Sequence, residues 1–167
     1  MNTQRFEFAE IVKLLRCSEN DPKIRSFFGE AMSRIKRDEY YGALEFDTEG
    51  VDAVFVEAPW VVPLAEITDP KVLYLSAFHL HRAGHEGFAG YTGQLPNGVA
   101  LGDLEAEVLG KMGQPSLTGG GGMSTVLPGP IPRWFRYSIG SFVLHFQLDT
   151  MGRVEMVTVS APDVRPT

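Results

Sequence analysis

Leu44-Glu45-Phe46-Asp47-Thr48-Glu49-Gly50 alternates apolar and polar residues and then runs into an acidic turn. A period of two puts Leu44 and Phe46 on one face of a strand. Asp47 suits the start of a turn, and Gly50 can take the positive φ that closes it. Val51 to Glu57 returns rich in β-branched residues, so the stretch predicts a β-hairpin. The pattern recurs without a gap at Phe146-Gln147-Leu148-Asp149-Thr150-Met151-Gly152. Both strands that leave these turns close on Ala-Pro, at Ala58-Pro59 and Ala161-Pro162. A helix ending in glycine precedes each hairpin, at Phe27-Phe28-Gly29 and, with one substitution, at Lys111-Met112-Gly113. The order helix, glycine, strand, turn, strand therefore occurs twice. It predicts an α+β fold of two helix-plus-antiparallel-sheet units related by internal duplication, or one sheet assembled from both. The units divide as 1–70 and 71–167, with one continuous domain as the alternative.

Working outward, residues 5–16 space Phe8, Ile11, Val12 and Leu15 as one helical face. Asp21-Pro22 reads as an N-cap followed by a first-turn proline, with Ile24, Phe27 and Phe28 as the apolar face. Val72 to His81 is a largely apolar strand. Asp103 is the expected N-cap of a third helix whose apolar face is Leu104, Val108, Leu109 and Met112; Gly113 and Pro115 end it. Residues 116–132 are rich in glycine and proline and read as a loop. Trp134 to Ile139, Phe142 to Leu148 and Arg153 to Val159 form a closing strand meander.

Composition narrows the function. The chain has 167 residues, 44% of them hydrophobic, and a net charge of -6. Nucleic acid is excluded as a partner, because its binding needs a basic surface that displaces counterions. An acidic surface suits a basic protein partner. Cys17 is the only cysteine, so no disulfide can form within the chain, and a cytoplasmic setting is expected. No apolar run reaches transmembrane length, and Arg5, Glu7, Glu10 and Lys13 interrupt any signal-peptide core. No membrane role is expected.

Candidate chemistry is sparse. His79 and His81 share one strand face and His85 follows a Gly84 turn, so a three-histidine zinc site is conceivable. Only Glu86, adjacent to His85, offers a carboxylate, at no familiar spacing; the plainer reading is a polar strand face. Cys17 with a histidine could make a nucleophile pair, but Arg16 and Ser18 mark an ordinary cysteine at a helix end. Gly119 to Gly122 lacks the Lys-Ser/Thr and following helix of a phosphate-binding loop. The chain is read as no enzyme, with no cofactor and no metal.

The aromatic strands say more. Alternation buries Phe135, Tyr137 and Ile139 and turns Trp134 and Arg136 the other way. On the next strand Phe142, Leu144, Phe146 and Leu148 face the core, leaving His145 and Gln147 outward beside Glu155. Trp134, Arg136, His145, Gln147 and Glu155 are thus the candidate partner-binding residues, since Trp and Arg are enriched in interface hot spots. The competing reading is a solvated sheet face with one half-covered tryptophan.

Gly98-Val99-Ala100-Leu101-Gly102-Asp103, leading into Glu105-Ala106-Glu107-Val108-Leu109-Gly110-Lys111-Met112-Gly113-Gln114-Pro115, resembles the opening of BamE-like (SmpA/OmlA) modules. The likeness covers roughly 95–160 and, weakly, 10–58. It implies a short helical region packed on a three-stranded antiparallel sheet. The lipoprotein signal of the family's outer-membrane members is absent here. Tandem copies of such a module resemble the β-lactamase inhibitor proteins, and Gly93-Gln94-Leu95-Pro96-Asn97-Gly98 is similar to cytosolic immunity proteins. The resemblance implies an immunity protein that neutralises a bacterial toxin by occlusion. A non-inhibitory assembly or scaffold module is the alternative, and a small hydrolase-like enzyme ranks last.

Overall fold

Asp21 opens its helix as the sequence predicts: its carboxylate accepts the Lys23 N–H at 2.8 Å. In the computed structural model, which describes residues 5–123, 125, 126 and 129–164, that helix is α2, Pro22–Phe28. It follows α1, Phe8–Leu14, and ends at Gly29 with φ 56°. Gly29 starts a 3₁₀ segment, Gly29–Arg34. The eight strands are β1 (Lys36–Arg37), β2 (Tyr41–Phe46), β3 (Val51–Glu57), β4 (Leu73–His81), β5 (Leu117–Gly119), β6 (Trp134–Ile139), β7 (Phe142–Leu148) and β8 (Val154–Ser160). Helix α3, Glu105–Met112, precedes β5.

The strands make one sheet in the order β1-β2-β3-β4-β8-β7-β6-β5. Every neighbour is antiparallel, and four consecutive strands run inward from each edge. The sheet is continuous across residue 70, because β3 pairs with β4 from Val51↔Leu80 to Glu57↔Leu73. β4 then joins the halves, pairing with β8 from Ala77↔Ser160 to His81↔Met156. The rest of that β4 edge is taken by the chain after α1: Arg16 N–H donates to Leu75 O and Leu75 N–H to Cys17 O, both at 2.8 Å. Glu19 fastens this corner, its carboxylate accepting from Arg37 and from the Leu73 N–H.

The three α-helices of the described residues lie on one face of the sheet. Phe28 from α2 stacks on Phe46 and Phe78 and meets Phe55 edge-on. Ile11, Ile24 and Val108 join the same fully buried core. Across the sheet the core row runs Ala53, Phe78, Val159, Leu144, Tyr137, each opposite the next. Burying these side chains supplies about 1.5–3 kcal/mol each for the larger ones.

Two local expectations need correction. Asp103 is not the N-cap of α3; Leu104 holds that place, and Glu107 accepts its N–H at 3.2 Å. Asp103 instead accepts Ala100 N–H at 2.9 Å and Lys111 Nζ at 2.8 Å, tying the preceding loop to the last turn of the helix. Leu104 is consequently 39% exposed rather than part of the apolar face. Within 116–132, β5 is a strand where a loop was expected; Ser124, Leu127 and Pro128 of that stretch lie outside the described residues. No helix among the described residues is long and apolar enough to cross a membrane.

Candidate functional site

Among the described residues the opposite face of the sheet carries no α-helix, and alternation loads it with polar side chains. One row runs Glu45, Asp52, His79, Thr158, His145, Arg136, each opposite the next. A second runs His81, Met156, Gln147, Trp134, Gly119. All five residues singled out from the sequence fall together here. Trp134 pairs with Gln147, and Arg136 pairs with His145. The Trp134 ring stacks on His145 at 5.0 Å between centroids. Gln147 Nε2 donates to Glu155 at 2.8 Å. Each of the five is half-buried.

Trp134 is held in place from its other side by a strand the sequence did not reveal. It lies over Gly119 of β5 so closely that a Cβ there would meet the indole at 2.4 Å. A glycine under an aromatic cross-strand partner lets the ring lie flat on the sheet. Burial, the Arg136 guanidinium and His79 together hold His145 below the ordinary histidine range, so the ring that supports Trp134 gives up its proton more readily than a free histidine. Arg136 shares a shallow depression of about 270 Å³ with Trp60, Val56 and Ser160. Tyr40, Tyr41 and Trp60 are 58%, 42% and 44% exposed, which extends the aromatic surface into the first half.

His79 and His81 lie on this polar face, and the loop that follows β4 covers part of it. His81 is 0% exposed, because the loop after β4 folds back and lays Phe88 flat on its ring, 3.9 Å between centroids. Asp52 of β3 bridges two of them, with Oδ1 2.6 Å from His79 Nδ1 and Oδ2 2.7 Å from His81 Nε2. Burial drives the Asp52 carboxyl upward, but the hydrogen bonds from both imidazoles outweigh it and hold it below the usual range. His81 Nδ1 stands 2.9 Å from His85 Nδ1, and His85 Nε2 faces Glu155 at 3.8 Å. A polar chain therefore runs from His79 through Asp52, His81, His85 and Glu155 to Gln147. Asp52 was not found in sequence because it sits across a strand pair, 27 residues from His79. Cys17 lies near Asp21 and Lys23, with burial and then Asp21 pushing its thiol upward, which does not suit a nucleophile.

No family model matches this chain. Among solved structures it is similar to a DUF4309 family protein, YjgB, from Bacillus subtilis. The two are 14% identical, with a TM-score of 0.44, over 83% of this chain and 76% of that one.

Proposed function

We propose that the chain works by binding another protein across the helix-free face of its sheet, as an immunity protein that neutralises a bacterial toxin by occlusion. The observation that carries this reading is the Trp134 patch. An indole held between Gly119 and His145 lies two residues along the strand from Arg136, and Arg136 lines a depression with a second tryptophan, Trp60. Rigid aromatics with an adjoining arginine are the residues on which interface affinity concentrates. The net charge of -6 favours a basic partner and a cytoplasmic encounter steered by charge.

A tandem BamE-like origin belongs with this proposal. The strand order supports it in one form: β1 to β4 and β5 to β8, each set preceded by helix, meet at the β4–β8 pair. That equivalence matches β2-β3 to β6-β7, whereas the Asp-Thr-x-Gly likeness matches β2-β3 to β7-β8. The duplication is therefore proposed on strand order, and the turn likeness is a local similarity.

The first test is whether a neighbouring gene encodes a toxin-like protein; the affinity of that product is then measured by calorimetry. Trp134→Ala should lose about 2 kcal/mol, roughly thirtyfold, with the melting temperature kept. Unchanged affinity for both Trp134→Ala and Arg136→Ala would remove the surface from the proposal. Co-expression separates the second reading: an assembly module would bind the neighbour without restoring growth.

A further inference from the structure

We propose that His81, His85 and Glu86 form a site for a divalent transition-metal ion of the zinc class, with Asp52 orienting the buried histidine. The inference does not depend on the partner reading. Nitrogens of His81 and His85 and a carboxylate oxygen of Glu86 all lie within 4.8 Å of one another. The two Nδ1 atoms are 2.9 Å apart. Ligands bound tetrahedrally at zinc distances stand about 3.3 Å apart, so an ion enters if the rings part by a few tenths of an ångström.

Tautomers decide what those nitrogens offer. His81 Nε2–H donates to Asp52 at 2.7 Å, and in that tautomer Nδ1 is the nitrogen with the lone pair. Glu155 faces Nε2 of His85 at 3.8 Å and is itself fixed by Gln147 at 2.8 Å. The 3.8 Å separation is beyond a hydrogen bond, but in the tautomer with the proton on Nε2, toward the carboxylate, the second Nδ1 carries a lone pair. Two lone pairs directed at each other repel unless a proton or a cation lies between them. A carboxylate behind a histidine is the usual support of a metal-bound imidazole, setting its tautomer and raising its basicity.

The loop brings in the third ligand. Gly84 and Gly87 have φ of 90° and 84°, and Glu86 itself is held at φ 52°. Gly84 N–H donates to Phe88 O at 2.8 Å, closing the turn so that Glu86 returns over the histidine pair. Asp52, Glu86 and Glu155 supply three carboxylates around the position, enough negative charge for a divalent cation. Two nitrogens and one oxygen leave a fourth position for water.

The full chain, stripped with chelator, would be titrated with zinc chloride by calorimetry and with cobalt chloride by visible absorption. One zinc per chain and intense tetrahedral cobalt bands are expected. His85→Ala and Glu86→Gln lie on the loop, and circular dichroism should show the fold unchanged. Each should weaken zinc at least tenfold, and Asp52→Asn by about 10- to 100-fold. Absence of stoichiometric zinc in the unaltered protein would overturn the assignment. So would affinity unchanged by His85→Ala, or zinc lost only on His79→Ala, which would place the ion on the other side of Asp52.

Discussion

The turns Asp47-Thr48-Glu49-Gly50 and Asp149-Thr150-Met151-Gly152 share three residues of four, lie at the same end of the sheet, and are held by opposite means. In the first the glycine is confined. Gly50 is buried at φ 70°, and a Cβ there would meet Ala89 O at 2.3 Å and Tyr91 N at 2.5 Å. In the second the glycine is open, with nothing near the Cβ position of Gly152 at φ 78°. There the aspartate does the holding. Asp149 Oδ1 accepts Met151 N–H at 2.8 Å and Arg153 N–H at 3.0 Å, and Oδ2 accepts from Arg82 at 3.1 Å. Asp47 is exposed and contributes its backbone carbonyl to Ala89 N–H at 2.9 Å. One local sequence thus makes one turn, and what crosses over it decides which residue matters.

The sharpest way to break this comparison is to exchange the glycines. Gly50→Ala adds a backbone clash to the strain of positive φ and should cost about 3 kcal/mol or more, lowering the melting temperature by roughly 6–12 °C. Gly152→Ala meets only the strain and should cost about 1 kcal/mol. Equal losses in thermal melts would mean that the loop over Gly50 is not rigid. The aspartates should rank the other way. Asp149→Ala removes two backbone caps and an ion pair and should cost about 2 kcal/mol. Asp47→Ala should stay within about 0.5 kcal/mol by urea unfolding.

A smaller effect comes from the strand leading into the second turn. His145 stands four residues before Asp149, where the first half has Ala43 before Asp47. Burial, Arg136 and His79 lower its affinity for a proton in the fold. The folded state then binds that proton less well than the unfolded chain, whose histidines titrate near about 6.5. Its contribution to stability is full above that value and is lost as pH falls below it. Melting temperatures from pH 7.5 to 5.5 should fall, and His145→Gln should flatten the fall. An identical slope in that variant would assign the acid sensitivity elsewhere.

Much of this was legible because it is local. Asp21-Pro22, the two turns, the alternation of Phe135 and Tyr137 and the outward placement of Trp134 with Arg136 follow from neighbours in sequence. What was missed depends on distant strands. Strands β1 and β5 are two and three residues long, too short to show a period. Gly119 looks like part of a flexible run until Trp134 lies across it. His79 and His81 read only as a polar strand face because Asp52 is 27 residues from His79 and nothing local shows that the loop with Phe88 folds back over His81. The Asp103 assignment failed for a related reason: its carboxylate had a better partner in Lys111 than in the helix N-terminus.

The β4–β8 pair has a consequence for synthesis. When β4 leaves the ribosome, β1 to β3 can already zip onto it, but much of its other edge waits for β8, which starts 73 residues after His81. At about 5–20 residues per second that wait is roughly 4–15 s. During it, the nascent chain presents Ala77 to His81 as an unpaired, mostly apolar strand edge, the kind of surface that recruits another copy of itself. Ribosome-arrested chains ending before Val154 should therefore crosslink to one another through β4, while chains carrying β8 should not.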